Sequence, residues 1–87
     1  MSQEANEKPI GHISHFFGKI NVGIVVLDSA LHVGDKIHVK GHTTDFVQTI
    51  NSMQNEHEPV RDAKSGESVG IKVDEHVREG DTVYLAS

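Results

Sequence analysis

One seven-residue pattern occurs three times in this chain and constrains its fold more than any other feature. Apolar-x-x-Gly-acid-x-(Ile/Val) appears as Leu31-His32-Val33-Gly34-Asp35-Lys36-Ile37, as Ala63-Lys64-Ser65-Gly66-Glu67-Ser68-Val69, and as Val77-Arg78-Glu79-Gly80-Asp81-Thr82-Val83. Glycine enters left-handed backbone without a Cβ penalty, so each copy predicts a tight turn with positive φ at Gly34, Gly66 and Gly80. The acid one residue later is placed to accept backbone N–H bonds at the start of a strand. The leading apolar residue is expected to plug a barrel end. The repeat is turn chemistry, with no catalytic role.

Between these turns the pattern is that of strands. No window holds apolar residues at i, i+3, i+4 and i+7, and β-branched residues dominate. Ile10 to Phe17 and Val22 to Leu27 read as two strands, with Gly18-Lys19-Ile20-Asn21 as the hairpin turn between them. Lys36 to Lys40 alternates, with Ile37 and Val39 inward and Lys36, His38 and Lys40 outward. Gly41 to Asp45 is a loop. Phe46 to Gln54 reads as one longer strand in which Val47, Ile50 and Met53 recur every three residues. A β-bulge is expected there to restore the alternation. A short helix is the competing reading, disfavoured by Thr49, Asn51 and Ser52. Val69, Ile71 and Val73 alternate, as do Val83 and Leu85. The expectation is an all-β domain: a small, closed, six-stranded, mainly antiparallel barrel. Ile37, Val39, Val69, Ile71 and Val83 form its core. Residues 1–8 are expected to be a disordered acidic tail, with the barrel spanning residues 9–87.

Composition excludes several alternatives. Eighty-seven residues make one domain, and with no cysteine it must hold by ordinary packing. The longest apolar run, Ile24-Val25-Val26-Leu27, is far too short to span a bilayer. The polar N-terminus carries no secretory signal, so a cytoplasmic location is expected. The net charge of −5 is uneven: residues 1–7 carry −2, residues 8–44 carry +2 with five histidines, and residues 45–87 carry −5. A polyanion would therefore meet the first half of the chain.

Catalytic and cofactor motifs do not hold. Gly18-Lys19 lacks the glycine spacing and the following hydroxyl of a phosphate loop, so no GTP is expected. His12-x-x-His15 on a flat strand would face opposite sides, and His38 and His42 would lie roughly 13 Å apart along a strand. Neither spacing makes a tetrahedral metal site unless a bulge or the Gly41 loop brings His42 back; surface histidines with no metal or other cofactor are expected, and a metal-binding regulator is the third reading. Ser14 beside His15 is sequence adjacency, not a nucleophile and its base. No enzyme activity is expected.

The most suggestive surface is Lys36, His38 and Lys40, followed by His42, Thr43 and Thr44, with Phe46 beyond. Basic residues with nearby hydroxyls can contact phosphate oxygens. Phe16, Phe17 and Phe46 are the candidates for stacking on unpaired bases. The competing reading makes Lys36 and Lys40 edge-protecting charges on a solvated strand.

From Pro9 to Leu85 the chain resembles the second domain of elongation factor Tu and its relatives, the translation-protein β-barrel. The resemblance rests on Ile10-Gly11-His12-Ile13, the Leu31 to Ile37 turn, the Gln48 to Gln54 strand, the block Ala63 to Ile71, and the closing turn Val77 to Asp81. Lys40 to Phe46 and Ser52-Met53-Gln54 are similar to a stand-alone subfamily, and to the barrel that closes collagenase-like peptidase-family proteins, some of which modify RNA. The resemblance implies a module that helps hold the aminoacylated end of tRNA or packs on ribosomal RNA. The acid that the family places near the terminal ribose corresponds to Gln54, a departure from its pattern. Two partners follow: tRNA or ribosomal RNA, or a protein of a translation or RNA-modification complex met without RNA contact. No membrane contact is expected.

Overall fold

The computed structural model describes residues 8–86. The chain runs through β1 (Lys8–Phe17), β2 (Val22–Leu27), β3 (Leu31–His32), β4 (Lys36–Lys40) and β5 (Asp45–Thr49). It continues through β6 (Met53–Asn55), β7 (Glu58–Val60), β8 (Asp62–Ala63), β9 (Ser68–Lys72) and β10 (Thr82–Leu85). Eight of these form one antiparallel sheet in the order β5-β4-β10-β1-β2-β9-β6-β7, and β3 pairs with β8. The tail expected over residues 1–8 loses Lys8 to β1, and residues 1–7 lie outside the described residues.

The sheet curls so that one face encloses the core. Ile13, Val25, Leu31, Ile37, Val39, Val77 and Val83 are fully buried, and Ile71 and Val69 nearly so. All five residues expected in the core are there. The architecture is nevertheless a half-barrel and not a closed six-stranded one. Its edge strands β5 and β7 do not pair with each other.

The difference arises in the segment expected as one bulged strand from Phe46 to Gln54. It is two strands, β5 and β6, with a break at residues 50–52. Val47 is 49% exposed, while Phe46, Gln48 and Ile50 point inward. The every-third apolar spacing was thus neither a bulge nor a helix. Ile50 carries the β4 pairing one step further, into the turn just before β4: its N–H donates to the Asp35 carbonyl, and its own carbonyl accepts the Gly34 N–H, both at 2.8 Å. The chain then crosses to β9, where Met53 pairs with Ile71, and returns as the short hairpin β6–β7.

The three repeats fold alike. Gly34, Gly66 and Gly80 have φ of 100°, 91° and 93°. In each copy the acid's N–H donates to the carbonyl three residues back: Asp35 to His32, Glu67 to Lys64, Asp81 to Arg78. The acid's carboxylate accepts the N–H of that same residue, at 2.9 Å in all three. The glycine holds the third turn position, where a type II turn needs positive φ. The leading residues Leu31, Ala63 and Val77 are buried, and Leu31 pairs with Ala63 across β3–β8.

Candidate functional site

The expected basic stripe lies on the outer face of β4, flanked by β5 and β10. Lys36 is exposed, and Lys40 and His38 are half-buried. His38 pairs across with Val47 and Tyr84, and its ring lies 6.4 Å from the tyrosine ring. Its Nε2 donates to Asp45 Oδ1 at 2.5 Å. Asp45 also sits directly opposite Lys40. That hydrogen bond, foremost, holds the Asp45 carboxyl below its ordinary pKa, helped by the charges of His38 and Lys40. A carboxylate inside the stripe offsets the field a phosphate would feel. His42 and Thr43 are exposed in the following loop, but Thr44 and Phe46 are buried. The Phe46 ring belongs to the core and offers no stacking face.

The histidine spacing also resolves differently from a flat strand. The β1–β2 register shifts between Ile13 and His15, so His12, paired with Val26, and His15, paired with Ile24, both lie on the outer face. His15 Nδ1 donates to the Ser14 carbonyl. Ser14 Oγ reaches only toward the Ile24 carbonyl, at 3.5 Å. Among the described residues, no three His, Asp or Glu side chains gather into a possible metal site.

A different surface is more site-like. β2 is apolar on both faces: Gly23, Val25 and Leu27 point inward, and Val22, Ile24 and Val26 are half-buried on the outside. An unbroken apolar run is the signature of a strand covered on both sides. Here the outer side opens as a groove of about 350 Å³. Its floor is Gly70, in register with Ile24 on one side and Gln54 on the other. A Cβ at Gly70 would stand 3.2 Å from Val22 Cγ1 and 3.4 Å from Ile24 Cδ1, so the missing side chain makes the floor.

Phe17 and Ile20, 47% and 57% exposed, wall the groove from the β1–β2 hairpin. Glu56 and His57 wall it from the tip of β6–β7. The groove continues past Gln54 and Gly70 to Ser52 and Lys72. Of these residues, sequence reasoning singled out Phe17 as a stacking candidate and Gln54 through the resemblance alone. The doubly apolar β2 and a glycine within β9 were the legible signals for the rest.

No protein-family profile matches the chain. Over 77 residues it is 44% identical to an uncharacterized protease of Methanocaldococcus jannaschii, covering 87% of this chain and 19% of that protein. It is 31% identical over 77 residues to a collagenase of Porphyromonas gingivalis, covering 86% and 21%. The chain therefore spans about a fifth of the length of the curated relatives it matches. Among solved structures, the C-terminal domain of a Geobacillus thermoleovorans protein assigned to the U32 peptidases superposes with a TM-score of 0.86. The identity is 14%, with 100% of this chain and 98% of that one covered. The fold is that of the U32 peptidase C-terminal domain. It is shared with part of the bacterial selenocysteine-specific elongation factor EF-Sec, at a TM-score of 0.67 and 19% identity over 99% of this chain and 16% of that one. Both halves of the resemblance read from the sequence, to translation factors and to collagenase-like peptidases, are thus present. Among the described residues, no helix is long and apolar enough to cross a membrane.

Proposed function

We propose that this chain is a non-catalytic binding module that holds an unpaired nucleotide of a tRNA or ribosomal RNA in the groove over Gly70. The observation that carries the reading is the groove's make-up: an apolar floor, an exposed aromatic wall, an amide at the edge and a cation at one end. Its volume of about 350 Å³ lies within the range of small-ligand sites, about 300–1,000 Å³. Phe17 supplies a face on which any base can stack. The Gln54 amide both donates and accepts. Lys72 can meet a backbone phosphate as a point charge. The likeness to translation-factor domains supports an RNA ligand, and Gln54 stands where that family's pattern places a ribose-facing acid.

The basic β4 face, with Lys36, His38, Lys40, His42 and Thr43, is a secondary contact in this reading. Asp45 weakens it, which is why the groove takes precedence. The test is a titration of the 15N-labelled chain with total tRNA and with a short single-stranded oligonucleotide at low and moderate salt. Shifts should map to Phe17, Ile20, Gln54 and Gly70 and be lost in Gln54→Ala/Lys72→Glu. The salt slope should be shallow, since each neutralised phosphate contributes about 0.7–0.9. Shifts confined to residues 36–46 and lost in Lys36→Glu/Lys40→Glu would move the site to β4. No shifts at low salt would sink the RNA reading in favour of a protein docked on the apolar outer face of β2.

A further inference from the structure

The tip of the β6–β7 hairpin is built against backbone preference, and its two residues line the groove. Asn55 pairs with Glu58, leaving Glu56 and His57 as a two-residue loop. Their φ values are 54° and 69°. Consecutive left-handed residues define the hairpin turn for which Asn-Gly is the ordinary choice, because glycine pays no Cβ penalty and asparagine tolerates the region. Glutamate has neither advantage, and histidine, though it enters the region more readily than most residues, still carries a Cβ there. Such strain persists only where the surrounding structure holds it, and it clusters at ligand-binding positions.

Glu56 and His57 also face the groove opposite Phe17 and Ile20, beside Gln54. A carboxylate is an acceptor only, whereas a neutral imidazole offers one donor and one acceptor. The other end of the groove carries Lys72. The trough is therefore polar in a definite sense, with an acceptor-rich end at the strained turn and a cation at the far end. A nucleotide laid with its phosphate toward Lys72 brings its base edge to Glu56. There the carboxylate can accept from an exocyclic amine, as it does from cytosine N4, whereas uracil offers only its ring N3–H, flanked by two carbonyl oxygens that repel the carboxylate.

We propose that the Glu56–His57 turn is the base-reading element of the groove, kept in a strained conformation so that it selects bases bearing an exocyclic amine. The inference rests on the RNA reading above and adds its specificity. It separates stability from binding, because the residues that read the ligand are not those the fold prefers.

The experiment compares the full chain with Glu56→Gly/His57→Gly and with Glu56→Ala, both of which remove the acceptor. Fluorescein-labelled single-stranded oligonucleotides of C, A or U are the probes, and Tm is measured alongside. The double variant should melt about 4–8 °C higher, from relief of the strained positions. The unaltered chain should favour the C and A probes over U by about five- to tenfold, the worth of one good hydrogen bond. Both variants should bind all three probes at the level of U, with the Tm of Glu56→Ala unchanged. A double variant with unchanged or lower Tm, or one that keeps the preference for C and A, overturns the inference while leaving the RNA reading intact. Equal binding of the three probes by the unaltered chain does the same. Failure of the unaltered chain to bind any probe overturns the RNA reading, and this inference with it.

Discussion

Gln48 accepts the backbone N–H of Asp74 at 2.8 Å, and its own amide donates to the Lys72 carbonyl at 2.8 Å. These two bonds join edge strand β5 to the end of β9, across the seam where the half-barrel has no backbone ladder. They also explain why a glutamine occupies an inward position while Val47 faces solvent. Removing one partner of a partly buried pair leaves the other unsatisfied, at a cost of about 1–3 kcal/mol. Gln48→Leu fills similar space without the bonds and should lower the unfolding free energy by that amount, read as a lower urea midpoint with little change in slope. An unchanged midpoint would mean the seam is held by packing alone.

The three turns should respond alike to substitution at their glycines. Nothing lies within 4 Å of a Cβ built on Gly34, Gly66 or Gly80, so Gly→Ala there creates strain without a clash. Alanine at each should cost about 1–2 kcal/mol, read from chemical denaturation. A glycine whose replacement costs nothing would show that its turn relaxes to another conformation.

Burial at the β5–β6 break separates two apolar neighbours. Ile50 is 1% exposed and Val47 is 49% exposed. Ile50→Ala should cost about 2–5 kcal/mol, as should Ile71→Ala on the inner face of β9. Val47→Thr should stay within about 0.5 kcal/mol. Thermal melts that reverse this order would contradict the inward side of β5.

Asp45 carries the pH dependence legible in the structure. Its carboxyl is held below the ordinary value, foremost by the hydrogen bond from His38. A group whose folded pKa is depressed adds stability above its unfolded value, about 3.9, and loses it as pH falls through the folded value. Carbon-detected NMR titration should place Asp45 below that value in the unaltered chain and return it toward normal in His38→Ala. High salt should shrink the difference, because the pair is at the surface. Identical titration curves in the two chains would remove His38 as the cause.

Local chemistry was legible in the sequence wherever residues close in the chain decide the outcome. The Gly-acid turns needed only a residue that tolerates positive φ and a carboxylate one position on, and all three formed with the same hydrogen bonds. Strict alternation placed β4 without error, because a half-buried strand must put every second side chain inside. The hairpin over residues 18–21 was equally local, with Asn21 taking the left-handed position at φ 55°.

Tertiary structure decided the rest, because each remaining choice depended on groups distant in the chain. Gln48 turned inward because two backbone groups near residue 73 satisfied its amide, and no window around residue 48 contains them. That same contact fixed Val47 on the outer face of β5. Phe46 followed into the core and left the candidate surface. The groove needed Gly70 to lie between Ile24 and Gln54, a register set by three strands at once. Sequence determined where this chain turns and which strands alternate. Long-range pairing, which satisfies buried polar groups with whatever backbone comes to hand, determined where the barrel opens and which face holds the groove.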